Sequence, residues 1–150
     1  MDLTFEYYVE SDFNELKEMI FGLYDEDPAG LPITEDKIIK SINESICRPN
    51  KVKIIMIRNG LASIGYGIIT FIWSNEYGGD VVNIDELYIK KEYRNKSAGS
   101  RFIKYIMESN KSAKLFTLEI TPQNRNALKL YKRLGFEISS TMHMVQIANN

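Results

Sequence analysis

The apolar positions of the chain change period along its length, and each change marks an element. Leu3–Val9, rich in Phe and Tyr, predicts a strand. Phe13, Leu16, Ile20, Leu23 and Tyr24 then recur at helical spacing behind Ser11 or Asp12 as cap, and Asp27-Pro28-Ala29-Gly30 ends that helix. A second helix starts at Thr34, carries Ile38, Ile39, Ile42 and Ile46 on its inner side, and stops at Pro49-Asn50. Val52–Ile57 and Leu61–Trp73 read as strands joined by a tight Asn59-Gly60 turn. After a turn at Gly78-Gly79 the pattern predicts a strand over Val81–Ile89, a helix over Ser97–Ser109, a strand over Lys114–Thr121, a helix over Asn124–Leu134 and a strand over Phe136–Ile147. The order β-α-α-β-β-β-α-β-α-β implies an α/β fold: a mixed sheet of about six or seven strands flanked by four helices. Strand–helix crossovers make parallel pairs, and ligands favour the carboxyl ends of such strands.

Composition narrows the classes. The 150 residues suit one domain, and 44% hydrophobic with 26% charged residues is ordinary for a globule. The apolar run Leu61–Trp73 is broken by Ser63, Gly65, Gly67 and Thr70 and falls short of the ~20 residues of a membrane span. No export signal is legible at the N-terminus, and the single Cys47 fits a reduced, cytoplasmic setting. No Cys/His cluster predicts a metal. Net charge is −1, which argues against general nucleic-acid binding, yet the charges are segregated. Residues 1–48 hold 4 Lys/Arg against 12 Asp/Glu, and residues 90–133 hold 12 against 3. Such a split is read either as two solvated faces or as one face for a cation and one for an anion.

Two segments carry the chemistry. Tyr93-Arg94-Asn95-Lys96-Ser97-Ala98-Gly99-Ser100-Arg101 follows the Leu87-Tyr88-Ile89 strand end and opens a helix. Small residues at a helix N-terminus expose backbone N–H groups to an anion, and Arg94, Lys96 and Arg101 add charge. Farther on, Asn124, Ala127, Tyr131 and Leu134 share one helical face before Gly135-Phe136. With these residues in view, the chain resembles the GNAT superfamily of N-acetyltransferases. That family carries Arg/Gln-x-x-Gly-x-Gly/Ala after its fourth strand and Asn-x-x-Ala-x-x-Leu-Tyr-x-x-x-Gly-Phe near the C-terminus. Here stand Arg94-x-x-Ser97-x-Gly99 and every named residue of the second pattern, and the element order agrees over nearly the whole chain. Ser97 replaces the first loop glycine. A positive φ there would strain it; in the first helical turn, which is the expectation, its hydroxyl caps the helix or bonds a phosphate oxygen.

The resemblance implies a single N-acetyltransferase domain that binds acetyl-CoA where the fourth and fifth strands splay. Leu87, Tyr88 and Ile89 would pair with the pantetheine arm, Arg94, Asn95, Lys96, Ser97, Ala98, Gly99 and Ser100 would cradle the pyrophosphate, and Asn124 and Ala127 would border the CoA arm. Transfer would be direct, through a tetrahedral intermediate, to a primary amine of a small cationic acceptor or a peptide lysine. Tyr131 would protonate the departing thiolate. An amine of pKa near ~10.4 must lose a proton, and Asp85 and Glu86 are the base candidates. Consecutive strand residues face opposite ways, so Asp85 is expected to share a face with Asn83 and Leu87, and Glu86 with Ile84 and Tyr88. Asp25, Glu26 and Asp27 oppose the dipole of the first helix and would form an acidic rim recruiting the amine. His143 reads as a satisfied wall residue, Cys47 as a small helix residue, and Tyr7, Tyr8, Tyr66, Phe71 and Trp73 as cleft lining or sheet packing. Homodimers are common in the resembled family. The competing classes are a non-catalytic acyl-CoA-binding regulatory module and a nucleotide-phosphate binder. The second lacks the lysine-terminated glycine loop.

Overall fold

The computed structural model describes residues 1–28 and 30–148; Ala29, in the turn expected after the first helix, lies outside the described residues. The elements run β1 (Leu3–Tyr7), α1 (Phe13–Glu26), α2 (Glu35–Cys47), β2 (Val52–Asn59), β3 (Ala62–Ser74), β4 (Gly79–Ile89), α3 (Ala98–Ser109), β5 (Leu115–Leu118) and α4 (Arg125–Arg133). Short 3-10 turns at Glu10–Asp12 and Lys91–Tyr93 precede α1 and follow β4. The described strands form one five-stranded sheet in chain order, antiparallel from β1 to β4, with β5 parallel to β4. No described helix is long and apolar enough to cross a membrane.

Period-two alternation splits the sheet's side chains between two cores. Val52, Ile54 and Met56 of β2, with Tyr66 and Ile68 of β3, pack against Leu16, Met19 and Ile20 of α1 and Ile38 and Ile42 of α2. Ile55, Ile57, Ile69, Val82 and Ile84 point the other way, against Ala98, Phe102, Ile103 and Ile106 of α3. Thr34 caps α2 by accepting the Lys37 N–H at 3.3 Å. Ile39 and Ile46, expected on the inner side of α2, are instead exposed, because the buried stripe is the narrower Ile38–Ile42 pair. Asp12 is no simple cap either. It is 4% exposed and receives Arg58 Nη2 at 2.6 Å, while Arg58 also reaches Ser63 Oγ at 2.6 Å and Glu6 at 3.0 Å. This network ties the entry of α1 to β1, β2 and β3.

The expected strand over Phe136–Ile147 does not form, so the sheet is smaller than six or seven strands. Ser139 Oγ lies 2.7 Å from Thr141 Oγ1 and accepts the Thr141 N–H at 3.1 Å. Such a local side-chain turn competes with a ladder. Phe136 packs edge-on to Tyr131 at 5.9 Å, while Ile138, Met142 and Met144 are exposed. His143 is accordingly not in a strand; it is an exposed residue 3.7 Å from Glu119.

The sheet and α3 meet closely at Gly67, where an added Cβ would collide with the ring of the fully buried Phe102. Gly67→Ala is therefore expected to destabilise the fold by about 1–3 kcal/mol through overpacking, read as a lower urea midpoint at unchanged m-value.

Candidate active site

The site is organised by how β4 leaves its neighbours. Thr117 Oγ1 donates to Asn83 Oδ1 at 3.0 Å, and Asn83 Nδ2 donates to Thr70 Oγ1 at 3.2 Å, tying β3, β4 and β5 together. One residue later, at Ile84–Leu118, the parallel pairing of β4 with β5 ends. From there β4 continues to Ile89 paired, among the described residues, only with β3. Against β3, Ile84 pairs with Ile69 and Glu86 with Ile68, so Asp85 is the inserted residue of a β-bulge. The bulge resets the alternation. Ile84, Leu87 and Ile89 face α3, whereas Tyr88 packs in the core formed by α1 and α2. Glu86 points toward the same helices. The expected sharing of a face by Glu86 and Ile84 is thus corrected; no local composition in Ile84-Asp85-Glu86 announces a bulge.

Glu86 is held from two elements. Tyr24 of α1 donates to Oε1 at 2.7 Å, and Tyr66 of β3 donates to Oε2 at 2.7 Å. Burial raises the Glu86 pKa above its ordinary value, the hydrogen bonds from Tyr66 and Tyr24 oppose that, and Asp85 adds to it. Burial foremost, with the contacts to Glu86, pushes both phenols up, so they remain donors at neutral pH. Asp85 lies exposed at the bulge; partial desolvation and the charge of Glu119 raise its pKa. Tyr24 was read as part of a packing stripe and Tyr66 as cleft lining or packing. The signal for the contact is long-range, a phenol on α1 reaching a strand 62 positions away.

The acidic turn of α1 crosses the mouth of the split. Glu26 accepts Arg94 Nη2 through both carboxylate oxygens, at 2.8 and 3.0 Å, and lies 3.8 Å from Lys91. Asp27 accepts Thr121 Oγ1, past β5, at 3.3 Å. Asp25 is exposed. Glu26 is therefore bound to the segment after β4 and Asp27 to the segment after β5. Arg94 is held on two further sides: its Nε donates to the Ile89 carbonyl at 2.7 Å, and its guanidinium lies 5.3 Å from the Tyr88 ring centre. Tyr88 can sit against α1 because Gly22 has no Cβ, which would lie 2.9 Å from the phenol oxygen.

Asn95, Lys96 and Ser97 form an exposed loop into α3, whose first residue, Ala98, is buried; Gly99 and Ser100 are half-buried. Asn95 has φ 60° and Ser97 φ 67°, both left-handed, and the Ser97 hydroxyl makes no capping bond. The expectation of an unstrained first-turn serine is corrected: this is a conformation that favours glycine. Lys96 Nζ donates to the Glu92 carbonyl at 2.9 Å, and Arg101 Nη1 to the Met1 carbonyl at 3.0 Å. The exposed left-handed turns ahead of a helix N-terminus, with Lys96 beside them, fit a phosphate group in chemistry.

Asn124 is the cap of α4, its Oδ1 accepting the Ala127 N–H at 3.2 Å. Tyr131, on the next turns of α4, is half-buried, and burial raises its pKa. It lines a cleft of 1140 Å³ together with Leu118, Glu119, Ile120, Leu128 and Phe136. Asp85, Glu86 and the Arg94–Ser100 loop do not line that cleft. The structure groups the acids, the rim and the loop around the β4–β5 split, and α4 reaches the same region: Tyr131 packs against the core that holds Leu87, Ile89 and Ala98, and its neighbour Leu130 lies against Gly99.

The profile of the acetyltransferase (GNAT) family matches residues 12–136. Thialysine N-epsilon-acetyltransferase from Sus scrofa is 36% identical over 78 residues, 51% of this chain and 45% of that protein, and the Mus musculus protein of the same name is 35% identical over the same shares. The match thus spans less than half the length of these curated relatives. Among solved structures, a possible acetyltransferase from Clostridium difficile 630 superposes with TM-score 0.82 at 19% identity, covering 99% of this chain and 100% of that one. AAC(6')-Iy, in complex with the bisubstrate analogue CoA-S-monomethyl-acetylneamine, gives 0.80 at 14% identity with the same coverage. At these identities the structural likeness speaks for the fold.

Ser97 supplies a stability test. Removing its Cβ relieves about 1–2 kcal/mol of left-handed strain, against roughly 0.5–1 kcal/mol of added backbone freedom. Ser97→Gly is expected to raise the thermal midpoint, by on the order of 0.5–1 kcal/mol of stability, whereas Ser97→Ala, which keeps the Cβ, is expected to leave it in place.

Proposed function

This chain belongs to the acetyltransferase (GNAT) family, and from that premise we propose that it is an N-acetyltransferase moving an acetyl group from acetyl-CoA to a primary amine of a small cationic acceptor or a peptide lysine. The observation that carries this reading is the Asp85–Glu86 pair at the point where β4 parts from β5. An alkylamine is mostly protonated at neutral pH and becomes a nucleophile only when a base takes its proton. Both carboxylates have raised pKa values, which brings a weak base closer to the working pH. The names of the curated relatives, which specify N-epsilon acetylation of thialysine, support an amine acceptor.

Acetyl-CoA supplies the activated acyl thioester. Its pyrophosphate is assigned to the loop Arg94, Asn95, Lys96, Ser97, Ala98, Gly99 and Ser100, where left-handed turns and exposed backbone meet the start of α3. The strand end Leu87, Tyr88 and Ile89, with its β5-facing edge unpaired, is assigned to the pantetheine arm, and Asn124 and Ala127 border it. Asp25, Glu26 and Asp27 make the rim that draws a cationic amine. Glu26 and Asp27 are already tied to Arg94 and Thr121, which leaves Asp25 as the most accessible charge. Tyr131 is the proton donor to the leaving thiolate; burial keeps its phenol protonated. A cytoplasmic setting and a homodimer accompany this reading. The strained Ser97 favours a second one, an acyl-CoA-binding module without turnover.

One assay separates the two. Purified protein with acetyl-CoA and a panel of polyamines, aminoglycosides and lysine peptides is expected to release free thiol only when an acceptor is present. Tyr131→Phe is expected to slow release by ~10²–10⁴-fold, the usual contribution of a general acid. Binding of CoA without thiol release on any amine selects the module, and release unchanged by Tyr131→Phe removes that residue from the role.

A further inference from the structure

A carboxylate offers four lone-pair positions, and left to itself on an extended side chain it samples many orientations. At Glu86 that freedom is absent. Tyr24 approaches from α1 and Tyr66 from β3, each 2.7 Å from a different carboxylate oxygen, one on either side of the group. Tyr66 is fully buried at the centre of the core between the sheet and α1, so its hydroxyl is a fixed point. Tyr24 belongs to the same α1 end that supplies Glu26 and Asp27 to the segments past β4 and β5. The helix that forms the rim therefore also holds the acid. A packing role alone would be met by phenylalanine at both positions, with no oxygen to satisfy.

We propose that Tyr24 and Tyr66 are positioning residues that clamp the two carboxylate oxygens of Glu86, so that it meets the acceptor amine as an oriented anion. This rests on the acetyl-transfer reading above and deepens it. The clamp leaves one lone pair on each oxygen for an ammonium group. It also sets how readily Glu86 takes up a proton. The groups facing it are Tyr24 from α1, Tyr66 from β3 and Asp85 from β4, with Tyr88 adjoining Tyr66 and Glu26 and Arg94 adjoining Tyr88. Burial and Asp85 favour the neutral acid, and the two phenols favour the anion. Loss of a phenol hydroxyl therefore moves Glu86 toward the neutral acid, and its titration moves to higher pH.

The test uses Tyr24→Phe, Tyr66→Phe and the double variant in the full chain. Glutamate carboxyl ¹³C signals are followed against pH, with Glu86→Gln to assign the signal. The Glu86 midpoint is expected to move upward in each single variant and farther in the double variant. In parallel, the acid limb of kcat/KM for thiol release is expected to shift upward by the same amount, with activity recovered at high pH. Tyr24 lies at the half-exposed edge, so its variant keeps the test available should Tyr66→Phe fail to fold. A Glu86 midpoint unmoved by Tyr24→Phe overturns the proposal, whatever the activity. A moved midpoint in a protein that acetylates no amine upholds the clamp and refutes the acetyl-transfer reading instead.

Discussion

The arrangement of this molecule depends on one event in the sheet: β4 gains an extra residue where it loses its parallel neighbour. Pairing with β5 stops at Ile84–Leu118, and the next residue, Asp85, is the bulge. Up to that point three strands are tied by their ladders and by the Thr70–Asn83–Thr117 side-chain chain. Beyond it, the strand edge facing β5 has no ladder partner among the described residues, and the side-chain alternation is reset. Without the inserted residue, Glu86 would follow Ile84 onto the α3 face, among Phe102, Ile103 and Ile106, where a carboxylate would find apolar neighbours. With it, Glu86 reaches the hydroxyls of Tyr24 and Tyr66.

Electrostatics follow from the same geometry. The acidic first third of the chain and the basic segment after β4 meet through Glu26, Lys91 and Arg94. The segregation of charge is therefore neither two independent solvated faces nor wholly reserved for ligands. Part of it joins α1 to the segment beyond β4. Exposed pairs of this kind add little stability by themselves, but here the contacts place the turn of α1 over the split. Arg94, stacked on Tyr88 and bonded to the Ile89 carbonyl, fixes that turn to the end of β4.

The fold was legible in the sequence wherever local periodicity sufficed. The helical stripe of α1, the helix α3, the Thr34 cap, the Asn59-Gly60 hairpin, the crossover from β4 through α3 into β5, and the helix α4 all appear near their expected positions. The last strand was misread because Phe136–Ile147 has apolar residues enough for a strand, whereas Ser139 and Thr141 satisfy one another locally. Ser97 was misread because sequence does not reveal the sign of φ at a position where glycine is replaced.

Sequence by itself determined the element order as far as α4, the family, the small-residue loop between β4 and α3, and the two adjacent acids on β4, since each is a pattern of neighbours within a few residues. Tertiary structure alone decided which way those acids face, because one inserted residue reverses every side chain after it and only pairing with β3 exposes the insertion. It likewise decided that a phenol from α1 and another from β3 meet the same carboxylate. Contacts between residues 62 positions apart are made by the packing of a helix on a sheet, which no local pattern encodes.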